Sequence, residues 1–317
     1  MSHPPLVIYT ETLDPAALAW LSSRAEVRQG APEDAAFEAA APTAEGLVVR
    51  TYTRVDDELL DRLPALKVVA RAGVGIDNID VAACRARGVE VVYAPASSTH
   101  AVAEYVLALL CDALRPRDYL DGAADRATWS GLRRDLVATR QFDELTLGIL
   151  GLGRIGGTVA GFARALGFEV LYHDLRTIPE SSRSGATPVG CEELFERSDV
   201  LTVHVDGRAG NRGVIGRGLL DRLPEGAVLL NTSRGFVFDG EGLRGWLAAR
   251  VDARAYLDVH DPEPPPAGDP LLALPNAFLL PHLASRTSTA MARMSDVVHD
   301  VWAVLEGRAP EWPAPDP

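Results

Sequence analysis

The sequence predicts an α/β protein made of two doubly wound parallel-sheet domains. Three observations carry this: short apolar runs alternate with helical ones, a second series of the same kind begins near Leu145, and a glycine-rich strand-to-helix turn opens that second series. The first series reads as strand Leu6–Thr10, a helix over Pro15–Arg24, strand Gly46–Arg50, helix Asp56–Leu63, strand Lys67–Ala70, helix Asp80–Arg87 and strand Val89–Tyr93. Gly88 follows the last of these helices, where a residue of positive φ commonly ends one. The second series runs through Leu145–Leu150, Glu169–His173, Val200–Val205, Ala227–Asn231, Ala253–Val259 and Phe278–Leu280. A helix over Thr99–Leu114 joins the two, and another over Thr287–Glu306 closes the chain. The expected division is residues 1–98 with 287–317 in one domain and 99–286 in the other. The proline-rich tail Ala309–Pro317 is expected to fray.

A chain of 317 residues suits two domains, and 47% hydrophobic with 24% charged residues fits a globular protein and excludes wholesale disorder. The net charge of −13 repels phosphate backbones and anionic membranes, so neither nucleic acid nor membrane is an expected partner. Cys84, Cys111 and Cys191 are too few and too scattered for a disulfide framework or a zinc site, and no metal is expected. The apolar run Ala101–Leu114 carries Glu104 and Asp112 and is too short to span a bilayer. The opening MSHPPLVIYT lacks the pattern of a signal peptide, so a reducing cytoplasm is the expected location.

LTLGILGLGRIG (Leu145–Gly156) runs an apolar strand into Gly151-Leu-Gly153-Arg-Ile-Gly156. Gly151 permits a tight turn, Gly153 lets backbone approach a pyrophosphate, and Gly156 allows helix to pack on strand. The helix that follows would point free N–H groups at that pyrophosphate. The glycine motif alone is weak. Its force comes from the strand before, the helix after and an acid, Asp174, at the end of the next strand. A carboxylate there accepts hydrogen bonds from ribose hydroxyls and repels a 2′-phosphate, which reads as NAD over NADP. Arg176, two residues on, softens that discrimination without replacing the acid.

NTSRG (Asn231–Gly235), LDVHDPEP (Leu257–Pro264) and LLPHLAS (Leu279–Ser285) each follow a predicted strand, at the edge where open α/β sheets bind ligands. Hydride transfer from a secondary alcohol needs a base, a group that orients it and a cation for the substrate's carboxylate. His282, Glu263 and Arg234 are of the right types. Taken singly, His282 also reads as a structural histidine, Glu263 as a solvated acid and Arg234 as one half of a surface ion pair; spacing does not bring the three together.

GILGLGRIG with Asp174, then NTSRG, LDVxxxEP and PHLAS in this order, together with RAGVGIDNID (Arg71–Asp80) and VAEYVLAL (Val102–Leu109), resembles the D-isomer-specific 2-hydroxyacid dehydrogenases along nearly the whole chain. The resemblance implies a Rossmann NAD domain inserted into a flavodoxin-like substrate domain. It also implies that Arg234 holds the substrate's carboxylate and carbonyl, that Glu263 pairs with His282, and that His282 exchanges the proton. Arg154 and Ile155 would contact the pyrophosphate, Asp174 the ribose and Asp258 the nicotinamide amide. Val205, Thr232 and Ser233 would line the cofactor groove, and the N–H groups of Gly73 and Val74 would meet the substrate carboxylate. Formate dehydrogenases of similar fold have glutamine where Glu263 stands.

Within the family, VRTYTRV (Val49–Val55) and RAGVGIDNID look most like 3-phosphoglycerate dehydrogenases, enzymes of serine biosynthesis in which the equivalents of Arg50 and Arg71 lie near the substrate's phosphate and carboxylate. Ser97 and Ser98, His260 in place of an aromatic, and Asp206 in place of a proline depart from that pattern. The alternatives are a hydroxypyruvate or glyoxylate reductase and, from another class, an NAD(H)-sensing binding protein without turnover. The polar segment Arg115–Arg140, with Trp129, Arg133 and Arg134, corresponds to a family arm that contacts a second subunit, so a homodimer is expected.

Overall fold

The computed structural model describes residues 3–316. The chain divides into two compact units, Met1–Ser98 with Ser285–Pro317, and Thr99–Ala284.

The first unit holds a five-stranded parallel sheet of β1 (Leu6–Tyr9), β2 (Glu26–Gln29), β3 (Ala44–Val49), β4 (Val68–Arg71) and β5 (Glu90–Tyr93), in the order β2-β1-β3-β4-β5. This is the flavodoxin-like order, reversing at β1. Alternate residues feed opposite faces. Ile8, Leu47, Val49, Val69 and Val91 pack with Phe37, Leu59 and Cys84, while Val7, Val48, Val68 and Val92 pack with Leu21, Val298 and Val301. Asp14, Asp56 and Asp80 cap the helices Pro15–Ser22, Asp57–Asp61 and Val81–Ala86 through their carboxylates, each worth about 1 kcal/mol.

Three features of this unit differ from the sequence expectation. β2 (EVRQ) offers one apolar residue, Val27, which packs on the core, too few for an alternation to announce it; it pairs at the sheet edge, Leu6 opposite Glu26. The closing helix is two helices, Ser288–Ser295 and Val298–Leu305. Ser295 Oγ donates back to the Met291 carbonyl at 2.9 Å and accepts the Asp14 N–H at 2.9 Å, a side-chain bond that competes with helix continuation. The described part of the tail does not fray: Tyr93 N–H donates to Trp312 O at 3.2 Å, Ala314 N–H to Val91 O at 2.7 Å, and Ala314 is buried against β5.

The second unit holds a seven-stranded parallel sheet of β6 (Thr146–Leu150), β7 (Glu169–His173), β8 (Thr187–Pro188), β9 (Val200–Val203), β10 (Val228–Asn231), β11 (Arg254–Leu257) and β12 (Ala277–Leu279). Its order, β12-β11-β10-β9-β6-β7-β8, reverses at β6 as in a Rossmann fold. Leu147, Ile149, Val170 and Leu230 bury one face with Val106, Leu110 and Val159; Leu171, Leu201, Val203 and Leu229 bury the other with Phe195 and Trp246. Beyond the helix Thr99–Leu114, the segment expected to form an arm carries a helix, Arg126–Asp135, none of whose residues is buried.

Candidate active site

The glycine turn sits at the switch point of the second sheet. Gly151 has φ +94, and a Cβ there would lie 2.8 Å from the His204 carbonyl oxygen. A Cβ on Gly156 would lie 2.2 Å from the Gly151 carbonyl oxygen, whereas beside Gly153 there is open space. The 12-residue helix Arg154–Ala165 starts there, with Ile155 packed on the core beneath it. Asp174 closes the turn from the other side: one oxygen accepts the Leu152 N–H at 2.8 Å, the other the Arg176 N–H at 2.8 Å. A cleft of about 710 Å³ opens here, lined by Gly153, Arg154, Arg176, Ser182 and Ser184 among others.

The NTSRG loop is folded by Asn231 at the end of β10. Asn231 Oδ1 accepts from Ser233 N–H (3.0 Å) and Ser233 Oγ (2.7 Å), and its Nδ2 donates to the Arg234 carbonyl at 2.9 Å. Arg234 Nη1 donates to Ser233 O at 2.8 Å. The Thr232 hydroxyl is buried with no hydrogen-bond partner among the described residues, a polar atom that fits a groove completed by a polar ligand. Val205, two residues past β9, the strand next to β10, packs partly buried on the core.

Glu263 and His282 meet: Nδ1 of His282 lies 2.5 Å from Glu263 Oε1, with about a third of each side chain exposed. Burial alone would raise the Glu263 carboxyl, but the hydrogen bond and charge of His282, with the His260 N–H, hold it below the usual carboxylate range. His282 itself stands at φ +55, a conformation that costs a non-glycine residue about 1–3 kcal/mol. The next two amides are fastened: Leu283 and Ala284 each donate to the fully buried Asp258 carboxylate at 2.8 Å. Burial pushes the Asp258 carboxyl up, against the pull of those two donors. Asp258 N–H in turn donates to Asn231 O at 2.9 Å, so one chain of hydrogen bonds joins the loops carrying Arg234, Glu263 and His282.

The remaining candidates lie in the first unit, at neighbouring strand ends. Arg71 closes β4, opposite Val49 in register, and its Nη1 donates to Ala72 O at 2.7 Å; a Cβ on Gly73 would lie 1.8 Å from that nitrogen. Val74 is half-buried beside Gly73. Arg50 is turned inward, 8% exposed, with Nη1 on Thr12 O at 2.9 Å and Nη2 on Met291 Sδ at 3.0 Å; burial, then the charge of Arg286, lower its pKa. Glu11 accepts the N–H groups of Arg50, Thr51, Tyr52 and Thr53, and Asn78 donates to the Arg50 and Thr53 carbonyls. Sequence reasoning missed Glu11, Asn78 and Asn231; Asn231 alone left a signal, an Asx-type turn residue at a strand end.

Residues 107–284 match the model of the D-isomer specific 2-hydroxyacid dehydrogenase NAD-binding domain. The chain belongs to the D-isomer-specific 2-hydroxyacid dehydrogenase family. This family member is 36% identical over 306 residues to the D-3-phosphoglycerate dehydrogenase of Mycobacterium tuberculosis, an alignment covering 96% of this chain and 57% of that protein. It thus spans little more than half the length of the first curated relatives it matches. Against the glyoxylate reductase of Aeropyrum pernix it is 33% identical over 321 residues, 96% of this chain and 94% of the other. The crystal structure of the TT0316 protein from Thermus thermophilus superposes with a TM-score of 0.82 at 36% identity, covering 98% of this chain and all of that one. The open Gly153, the enclosed Asp174 carboxylate and the orphaned Thr232 hydroxyl fit the family's NAD. No helix of the described residues is long and apolar enough to cross a membrane.

Proposed function

We propose that this chain is an NAD-dependent dehydrogenase of D-2-hydroxy acids in which His282 exchanges the hydroxyl proton, Glu263 holds its ring and Arg234 holds the substrate's carboxylate. The 2.5 Å contact between His282 and Glu263 carries the reading. With Nδ1 engaged by Glu263, Nε2 is the nitrogen left to take a proton from an alcohol, and the carboxylate favours the imidazolium that results. NAD, when bound, accepts the hydride from the substrate carbon. Gly151, Gly153, Gly156 and the first amides of the helix at Arg154 and Ile155 would hold its pyrophosphate, Asp174 its ribose, and Val205, Thr232, Ser233 and Asp258 its nicotinamide half.

Likeness to the phosphoglycerate dehydrogenases supports 3-phosphoglycerate as substrate, with Arg50 and Arg71 on its phosphate and carboxylate and the Gly73 and Val74 amides beside them. A second reading, reduction of hydroxypyruvate or glyoxylate, is favoured by the inward turn of Arg50, two of whose N–H groups are already engaged, and by the likeness to a glyoxylate reductase. Comparing kcat/KM with NADH for phosphohydroxypyruvate and hydroxypyruvate separates the two. A phosphate held by two arginines is worth at least ~3 kcal/mol, a hundredfold preference or more; a ratio near one selects the second reading. In either case His282→Ala is expected to lower kcat by ~10²–10⁴ while NADH still binds. NADH binding without turnover of any 2-oxo acid in a panel would select a sensor instead. The segment around Trp129 is proposed to join two copies into a homodimer.

A further inference from the structure

We propose that His260 is a positioning residue for the acid–base pair, holding the peptide that carries His282 at a set distance from the loop that carries Glu263. The inference rests on the reading of His282 as the proton-exchanging group. The end of β12 hydrogen-bonds to the sheet for the last time at Leu280, whose N–H donates to Leu257 O at 2.9 Å. Pro281 follows and has no N–H to offer. The next anchored amides are those of Leu283 and Ala284 on Asp258. His282, at φ +55, therefore hangs between two fastenings. On the upstream side the Leu280 carbonyl is taken by His260 Nε2 at 2.8 Å. A carbonyl only accepts, so Nε2 carries the proton there.

His260 is also placed to relay that position. Glu263 lies three residues along the same loop. Its backbone is the floor under Gly235, where a Cβ would lie 2.0 Å from the His260 carbonyl carbon. One residue thus touches the segments bearing Arg234, Glu263 and His282. The charged neighbours on these segments are Asp258, Asp261 (paired with Arg212 at 2.7 Å), Glu263, His282 and Arg234. A phenylalanine at this place fills the same space but donates nothing to Leu280.

The test compares His260→Gln, whose amide N–H can reach where Nε2 stands, with His260→Phe, which keeps the ring and loses the donor. Single-turnover NADH oxidation with a 2-oxo acid is expected to slow about three- to tenfold in the Phe variant, the rate equivalent of one neutral hydrogen bond, and to stay near wild type in the Gln variant. NADH affinity and the KM of the oxo acid should be unchanged in both. The deshielded proton NMR signal of the His282–Glu263 hydrogen bond should move in the Phe variant only. If the Phe variant does not fold, His260→Asn, too short to reach Leu280, takes its place with the same expectation. A Phe variant as fast as wild type, or a Gln variant slower than Phe, overturns the proposal, because packing alone would favour the aromatic ring. His282→Ala serves as the control: retained turnover there overturns the acid–base reading itself, whereas a dead His282→Ala beside an unimpaired His260→Phe overturns only the role of His260.

Discussion

Two histidines of the second unit, both half-buried, meet different partners. His282 lies a third exposed beside the Glu263 carboxylate. His204, at the end of β9, has its Nε2 within 2.9 Å of Thr202 Oγ1, and burial pushes its pKa down to about 4. The folded state therefore keeps His204 neutral while the unfolded chain takes a proton near its ordinary 6.5. Stability tied to this residue is present above pH ~6.5 and is lost as pH falls towards ~4. Urea unfolding of wild type and His204→Gln at pH 7 and pH 4.5 checks this: the variant should lose less stability on acidification. An equal loss in both would place the acid sensitivity elsewhere.

At the scale of elements, the chemistry-bearing loops are held by side chains that reach backbone amides far away in sequence. Glu11 is the clearest case. Four successive amides of the loop after β3 converge on its carboxylate, 39 to 42 residues away, at 2.9 to 3.3 Å. Glu11→Ala should cost about 1.5–3 kcal/mol in urea denaturation, the range for bonds to a charged acceptor. It should also raise the KM of the oxo acid with NADH affinity unchanged, since the loop carries Arg50 and the cofactor candidates lie in the other unit. Glu11→Gln, which keeps one acceptor oxygen, should fall between. Bonds of this kind explain what was legible. The parallel strands, the glycine turn and the loops of Arg234, Glu263 and His282 announced themselves through apolar runs and strand-end motifs, because two-sided burial leaves a pattern along the chain. The clamps Glu11 and Asn78 leave none, and Asp258 was legible as part of LDVHDPEP but not as the clamp of the Leu283 and Ala284 amides. An edge strand with a single apolar residue, such as Glu26–Gln29, leaves no pattern either, nor does a tail that finds its partner in β5.

For the whole molecule, the segment 115–140 reads as polar along the sequence yet carries exposed apolar side chains. Tyr119, Leu120, Trp129, Leu136 and Val137 are exposed at 81%, 51%, 50%, 39% and 64%, on a stretch whose only helix buries nothing. Leu120, Trp129, Leu132, Arg133 and Leu136 line a cleft of about 430 Å³. Exposed apolar side chains this close together suit an interaction surface. A second copy of the same chain is the occupant the proposed function calls for. Sedimentation equilibrium should return about twice 33.9 kDa for wild type, and Trp129→Asp, which places a charge at the centre of the cleft, should return a single chain. Because Trp129 is half exposed, its loss should leave NADH affinity and far-UV circular dichroism intact. If the wild type already sediments as one chain, the arm has another partner. If the Asp variant dimerises as before, the contact lies off this helix. The same variant tests whether Arg133 or Arg134 adds charge to a neighbour's substrate site: Arg133→Ala and Arg134→Ala should then raise the KM of a phosphorylated substrate in the dimer and have no effect in the Trp129→Asp background.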